Sequence, residues 1–166
     1  MSSTTDERIT TARIEADATI PGIRFTRDFD GTPEQVFRAH TDPELFVRWN
    51  GPDNMSTDLQ VWDARTGGEW RYVTSDEDGS YAFHGCFHEV RPGSPGRIVQ
   101  TFTFDGYPDG VALETITFTD LGDGRTRLEA LSLCDSFEGR DMMLASGMEV
   151  GVHEGYAKLD ALLTDL

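Results

Sequence analysis

The densest run of side chains able to do chemistry in this chain is His84-Gly85-Cys86-Phe87-His88. In an extended strand both histidines and the cysteine fall on one face, opposite Phe83 and Phe87. Neighbouring members stand about 6.8 Å apart along a strand, so two of them can share a metal; the outer pair, about 13 Å apart, cannot both reach it. A zinc ion would also need two further ligands from other strands. If the phenylalanines face inward, the trio becomes an exposed polar strip. That is the reading adopted, with no metal and no cofactor expected.

Glu114 is the weak candidate for acid–base work. In the run from Val111 to Phe118 it shares a strand face with Ile116 and Phe118. Turned inward, it would be a buried carboxyl with a raised pKa and a candidate general acid. Exposed, or paired with Arg71 or Arg127, it would be structural. The structural placement is the simpler expectation, and no catalytic residue is assigned. Neither Cys86 nor Cys134 has a basic neighbour in sequence that would depress its pKa. There is no G-x-S-x-G, no phosphate-binding glycine loop and no dinucleotide fingerprint; Gly67-Gly68 ends a strand and does not open a helix.

The elements that must hold these residues are legible from periodicity. A first strand is expected at residues 23–29, where apolar and polar positions alternate. Thr32 caps a helix with Pro33 at its first position and Gln35 three residues on, a capping box. Asp42 and Pro43 start a second short helix carrying Leu45, Phe46 and Trp49, which Asn50-Gly51-Pro52 ends. From residue 57 the period changes to two. Strands are expected at 58–64, 69–75, 81–90, 96–104, 112–120 and 125–132, with turn-rich connections too short for parallel crossovers. A single long helix follows over 140–163, with Met148, Val152, Tyr156, Leu159 and Leu163 as one apolar stripe and Gly147, Gly151 and Gly155 as a row at spacing four. Three interior glycines imply that something approaches that face closely, or that room is left beside it.

Composition sets the outer bounds. The 166 residues suit one domain, expected over 21–166, after a flexible polar extension at 1–20. A net charge of −16 disfavours nucleic acid and anionic membranes. Two cysteines 48 positions apart make no disulfide framework. No apolar run reaches the roughly 20 residues that span a bilayer, and the N-terminal residues lack a signal peptide's apolar stretch. A cytoplasmic location follows as the expectation.

Several segments, in this order, resemble one family: Thr32-Pro33-Glu34-Gln35-Val36-Phe37, Trp49-Asn50-Gly51-Pro52, Asp63 through Arg71, His84-Gly85, and Gly155-Tyr156 with Leu159 and Leu162. The family is the Aha-like branch (activators of heat-shock-protein ATPase homologues) of the START-related, birch-pollen-allergen-like SRPBCC superfamily, and the likeness runs from about residue 23 to 165. It implies an α+β helix-grip fold, in which a curved antiparallel sheet wraps a long C-terminal helix and two short helices follow the first strand. Superfamily members bind hydrophobic small molecules or lipids, cyclise polyketides, or act by sacrificial cleavage in antibiotic resistance. The founding Aha protein is a cochaperone with a separate N-terminal domain that has no counterpart here, so chaperone activation is not expected. Fold alone assigns no reaction.

The expected function is therefore binding of a small hydrophobic ligand between sheet and terminal helix. The expected wall is Trp49, Trp70, Tyr72, Phe83, Phe87, Phe102 and Met148, which supply apolar area with polar tips on Trp and Tyr. Two alternatives are carried beside it. One is a polyketide cyclase or dehydratase using Glu114, Tyr72 or His84 for proton transfer; the other is a protein-interaction module, for a chaperone or another partner. A homodimer is compatible with the sequence.

Overall fold

The computed structural model describes residues 7–166. Eight strands form one antiparallel sheet. They are β1 (Arg13–Ala16), β2 (Gly22–Phe29), β3 (Ser56–Trp62), β4 (Glu69–Ser75), β5 (Ser80–Arg91), β6 (Gly96–Phe104), β7 (Ala112–Gly122) and β8 (Arg125–Cys134). Their order across the sheet is β1-β2-β8-β7-β6-β5-β4-β3, so β3 to β8 run as a meander and β2 closes onto β8. Helices α1 (Pro33–Thr41) and α2 (Pro43–Trp49) follow β2, and α3 (Phe137–Ala145) and α4 (Met148–Leu163) end the chain. This is the helix-grip α+β fold.

Of the polar extension expected over 1–20, residues 1–6 lie outside the described residues, and the following residues are held to the sheet. Ile9 is buried and its N–H donates to Asp28 Oδ2 at 2.9 Å. Arg13 to Ala16 pair with Thr26 to Ile23. β1 alternates, with Ile14 and Ala16 on one face, but at four residues it is too short and too exposed for that pattern to mark a strand.

The second difference lies in the terminal helix, expected to be continuous. Ser136 caps α3 by accepting from the Gly139 N–H at 2.9 Å. The chain then breaks at Gly147, whose φ of +83° is left-handed, a conformation that glycine adopts without strain. Gly147 is therefore a joint between two helices and does not belong to a packing row. Gly151 and Gly155 do face a close neighbour, which is the end of α2 and not the sheet. A Cβ on Gly155 would lie 3.0 Å from the Trp49 carbonyl oxygen, and one on Gly151 would meet Pro52 at 3.4 Å. Lys158 Nζ donates to the Gly51 carbonyl at 2.9 Å across the same junction.

The helix pair forms as its capping residues dictate. Thr32 and Gln35 exchange side-chain-to-backbone hydrogen bonds in a full capping box, and Asp42 accepts from Glu44 and Leu45. The last turn of α1 leaves carbonyls that no helical N–H can reach. Two indoles satisfy them: Trp49 Nε1 donates to Ala39 O and Trp62 Nε1 to Thr41 O, each at 2.8 Å.

Between these indoles and the sheet sits His40, buried against the Trp49 and Phe118 rings. Its Nδ1 lies 2.8 Å from the Val36 carbonyl and so carries the proton. Burial drives its pKa down from 6.5 to about 4. The folded protein thus holds His40 neutral where an unfolded chain would protonate it. Stability contributed this way is present above pH 6.5 and drains as pH falls from 6.5 toward 4, by about 1.4 kcal/mol per unit. Denaturant titrations of wild type and His40→Gln at several pH values should diverge in that window, with the wild type losing more. Parallel curves would refute the neutral buried state.

Candidate site on the concave face

The inward face of the sheet is set by register. Gln100 on β6 pairs with Glu114 on β7, and Glu114 with Ser132 on β8, so three polar side chains lie side by side. The rows above and below are apolar: Phe102, Ala112 and Cys134 on one side, Ile98, Ile116 and Ala130 on the other. Gln100 Nε2 donates to Glu114 Oε1 at 3.0 Å. The Ser132 hydroxyl is buried and makes no well-formed hydrogen bond among the described residues. It still lies near enough to oppose the upward shift that burial imposes on the Glu114 carboxyl. Neither Arg71 nor Arg127 reaches Glu114. Arg71 pairs with Asp105 at 2.6 Å, and Arg127 holds Asp28 through two nitrogens at 2.8 and 3.0 Å. Burial pushes Asp28 up, but Arg127 and the Ile9 N–H outweigh it and hold the carboxyl low.

An aromatic wall adjoins this polar row. Trp70 stacks on Tyr72 with ring centres 5.2 Å apart and lies 5.7 Å from Phe102; Phe83 is 5.4 Å from Tyr72 and 5.3 Å from Phe102. Trp70 and Phe87 are nearly inaccessible, while Phe83 and Phe102 are partly buried. The Trp70 Nε1 is buried and unpartnered among the described residues. Opposite, Tyr156 of α4 meets Phe29 edge-on at 5.3 Å, and Arg27 lies over the Phe29 ring at 4.7 Å with its guanidinium paired to Asp160. Burial, and then the charge of Glu114, raises the hydroxyls of both Tyr72 and Tyr156. The carboxyl is thus felt on the sheet side and on the helix side of one interior.

Of the wall residues expected from sequence, Trp70, Tyr72, Phe83, Phe87 and Phe102 come together on this face. Trp49 sits at the end of α2, 6.2 Å from Tyr156, with its N–H spent on α1. Met148 is partly buried at the first turn of α4 and is not packed into the main core cluster. Glu114 faces inward, so the exposed or arginine-paired alternative is replaced by a buried carboxyl held by a neutral donor. Ser132, and the joining of Gln100 to Glu114, were missed. The sequence signal was available, since Gln100 alternates with Ile98 and Phe102 on an otherwise apolar face.

His84, Cys86 and His88 are exposed on the convex side, where His84 Nδ1 lies 2.7 Å from Asp105 Oδ1. That position removes His84 from any chemistry on the concave face. No group of three metal-ligating side chains converges among the described residues. Two open surface depressions, one between Asp53 and Glu77 and one between Thr32 and Asp120, include none of the wall residues. No helix among the described residues is long and apolar enough to cross a membrane.

Solved structures share this architecture. Protein Ms6760 from Mycobacterium smegmatis superposes with a TM-score of 0.80 at 22% identity, over 94% of this chain and 98% of that one. A protein from Rhodobacter sphaeroides does so with a TM-score of 0.80 at 26% identity, over 93% and 99%. Protein CV1439 from Chromobacterium violaceum gives 0.71 at 29%, over 85% and 96%. Among curated proteins, none matches the chain. Residues 30–164 match the family described as Activator of Hsp90 ATPase homolog 1-like protein. With that match spanning most of its length, the chain belongs to this family.

Proposed function

We propose that the concave face of the sheet and α4 together bind a small hydrophobic molecule. The observation that supports this reading is a mismatch between depth and exposure. Glu114 is deep enough for burial to dominate its pKa, yet it retains accessible surface, as do its neighbours Gln100, Phe102, Ile116, Ala130 and Tyr156. Side chains that lie inside a fold and still admit a water-sized probe border an interior space. Aromatic walls with a few convergent polar groups are the usual lining of a small-molecule pocket. Native mass spectrometry of protein purified from its own source tests the proposal. A co-purifying apolar molecule is the expected result; an experimental structure whose interior holds no more than a few waters would overturn it.

One observation favours a second reading, proton transfer within the pocket. A carboxyl whose pKa burial raises, on a face shared with the Tyr72 hydroxyl, is suited to general-acid work on a bound carbonyl or enol. In that case a molecule that binds would also be converted, and Glu114→Gln would bind it without converting it. Turnover that survives this substitution would remove Glu114 from the role.

A further inference from the structure

The polar row has one charge sign. Among the described residues, the groups that set the Glu114 pKa are burial, Gln100 and Ser132, and no cation is among them. Oε1 takes the Gln100 amide, a neutral donor. The cations whose fields reach neighbouring side chains are Arg27, acting on Tyr156, and Arg140, acting on Cys134. Both are committed. Arg27 is held by Asp160 and by the Asp28 carbonyl. Arg140 donates to the carbonyls of Asp17 and Gly22 at 2.9 and 3.0 Å and to Asp141 at 2.8 Å. Among the described residues, no free guanidinium or ammonium is therefore available to a ligand carboxylate on this face.

Beside the carboxyl lie the aliphatic side chains of Ala112, Ile116 and Ile98 and one ring, Phe102, through which the aromatic wall reaches it. Phe102 stands two positions from Gln100 on the same face of β6, and through it the wall of Trp70, Tyr72 and Phe83 runs up to the Gln100–Glu114 pair. Ring faces carry negative electrostatic potential and attract ammonium groups, more strongly where water is excluded. The buried Ser132 hydroxyl, unpartnered beside the carboxyl, adds an acceptor for a second N–H. The net charge of −16 adds a long-range bias of the same sign.

We propose that the interior is selective for apolar aromatic amines, bound with the ammonium between Glu114, Ser132 and the ring faces, and that it rejects carboxylic acids of the same shape. This rests on the ligand-binding reading above. Docking of an ammonium gives the desolvated carboxyl a charged partner that the fold withholds, and so makes it one half of an ion pair. A carboxylate in its place would set two like charges together in a water-poor site, which disfavours binding.

Four probes of nearly equal shape separate the outcomes: 1-naphthylmethylamine, 1-naphthalenemethanol, 1-methylnaphthalene and 1-naphthoic acid, titrated against the full chain by calorimetry. The expected order places the amine about tenfold or more above the alcohol and hydrocarbon, the range of a hydrogen bond to a charged group, with the acid weakest. Glu114→Gln should bring the amine's affinity down to that of 1-methylnaphthalene for the same variant. If none of the four binds, the ligand-binding reading falls and this proposal with it. If they bind but the amine is not preferred, or the acid binds as well, the amine selectivity falls and the ligand-binding reading stands.

Discussion

Gly85→Ala should be among the most damaging single-methyl changes in the molecule. Gly85 is buried in β5 directly opposite Trp70 of β4. A Cβ built there falls 2.0 Å from the Thr101 carbonyl oxygen and 2.8 Å from the Trp70 ring. The first obstacle is backbone, in a stretch of β6 where Thr101 Oγ1 already accepts the Cys86 N–H at 2.9 Å, so neither strand can retreat without losing pairing. Overpacking a rigid core costs 1–3 kcal/mol and sometimes more; with backbone as the obstacle the expected cost is about 3 kcal/mol or above. At roughly 2–4 °C per kcal/mol for a domain of this size, thermal unfolding followed by circular dichroism should show a fall of about 10 °C. Gly151→Ala is the internal control. Its Cβ would make ordinary contact with Pro52 at 3.4 Å on a helix, where replacing glycine gains up to about 1 kcal/mol. If the two variants melt together, the close approach at Gly85 is wrong.

Trp49→Ala should cost about as much by the opposite mechanism. The indole is buried against His40, Phe46 and Tyr156 and caps α1 through Ala39. Truncating a buried Trp costs about 3–5 kcal/mol through lost burial and the void left behind. It also leaves the Ala39 carbonyl without its donor. Trp49→Phe helps separate the two contributions, since it keeps one buried ring while losing the N–H and the rest of the indole, for an expected loss of about 1–3 kcal/mol. Urea denaturation gives both numbers. A Phe variant as unstable as the Ala variant would mean that the hydrogen bond, and not the packing, dominates.

Much of the fold was legible because its signals are local. Thr32 and Gln35, and Asp42 with Pro43, mark helix starts by chemistry that operates within four residues. The alternation in Trp70–Tyr72 and in Phe83–Phe87 assigns strand faces with the same short reach. What failed to show depends on distant partners or on backbone dihedrals. Gly147 carries spacing-four company and an apolar stripe continuing beyond it, so nothing in the sequence marks its left-handed φ. The edge strand at Arg13–Ala16 pairs on one side only, and its apolar face is just Ile14 and Ala16, too short to stand out. Glu114 could be placed on a face, but not next to Gln100 or away from every arginine, because partner identity follows from strand register, and register from turns and bulges such as those at Phe87/Glu89 and Asp120/Gly122.

The closing of β2 onto β8 has a consequence for how the chain reaches this state. Asp28 meets Arg127 across 99 positions, and Arg27 meets Asp160 across 133. Joining ends that far apart costs about 4 kcal/mol of chain entropy before any contact rewards it. The meander from β3 to β7 carries no such cost, because each strand finds its partner next in line. Contact order therefore orders the expected events, with local hairpins ahead of the capture of β2 by the last strand. Asp28 is buried with Arg127 only as that seam shuts, and Arg27 meets Asp160 only once α4 has docked beside it.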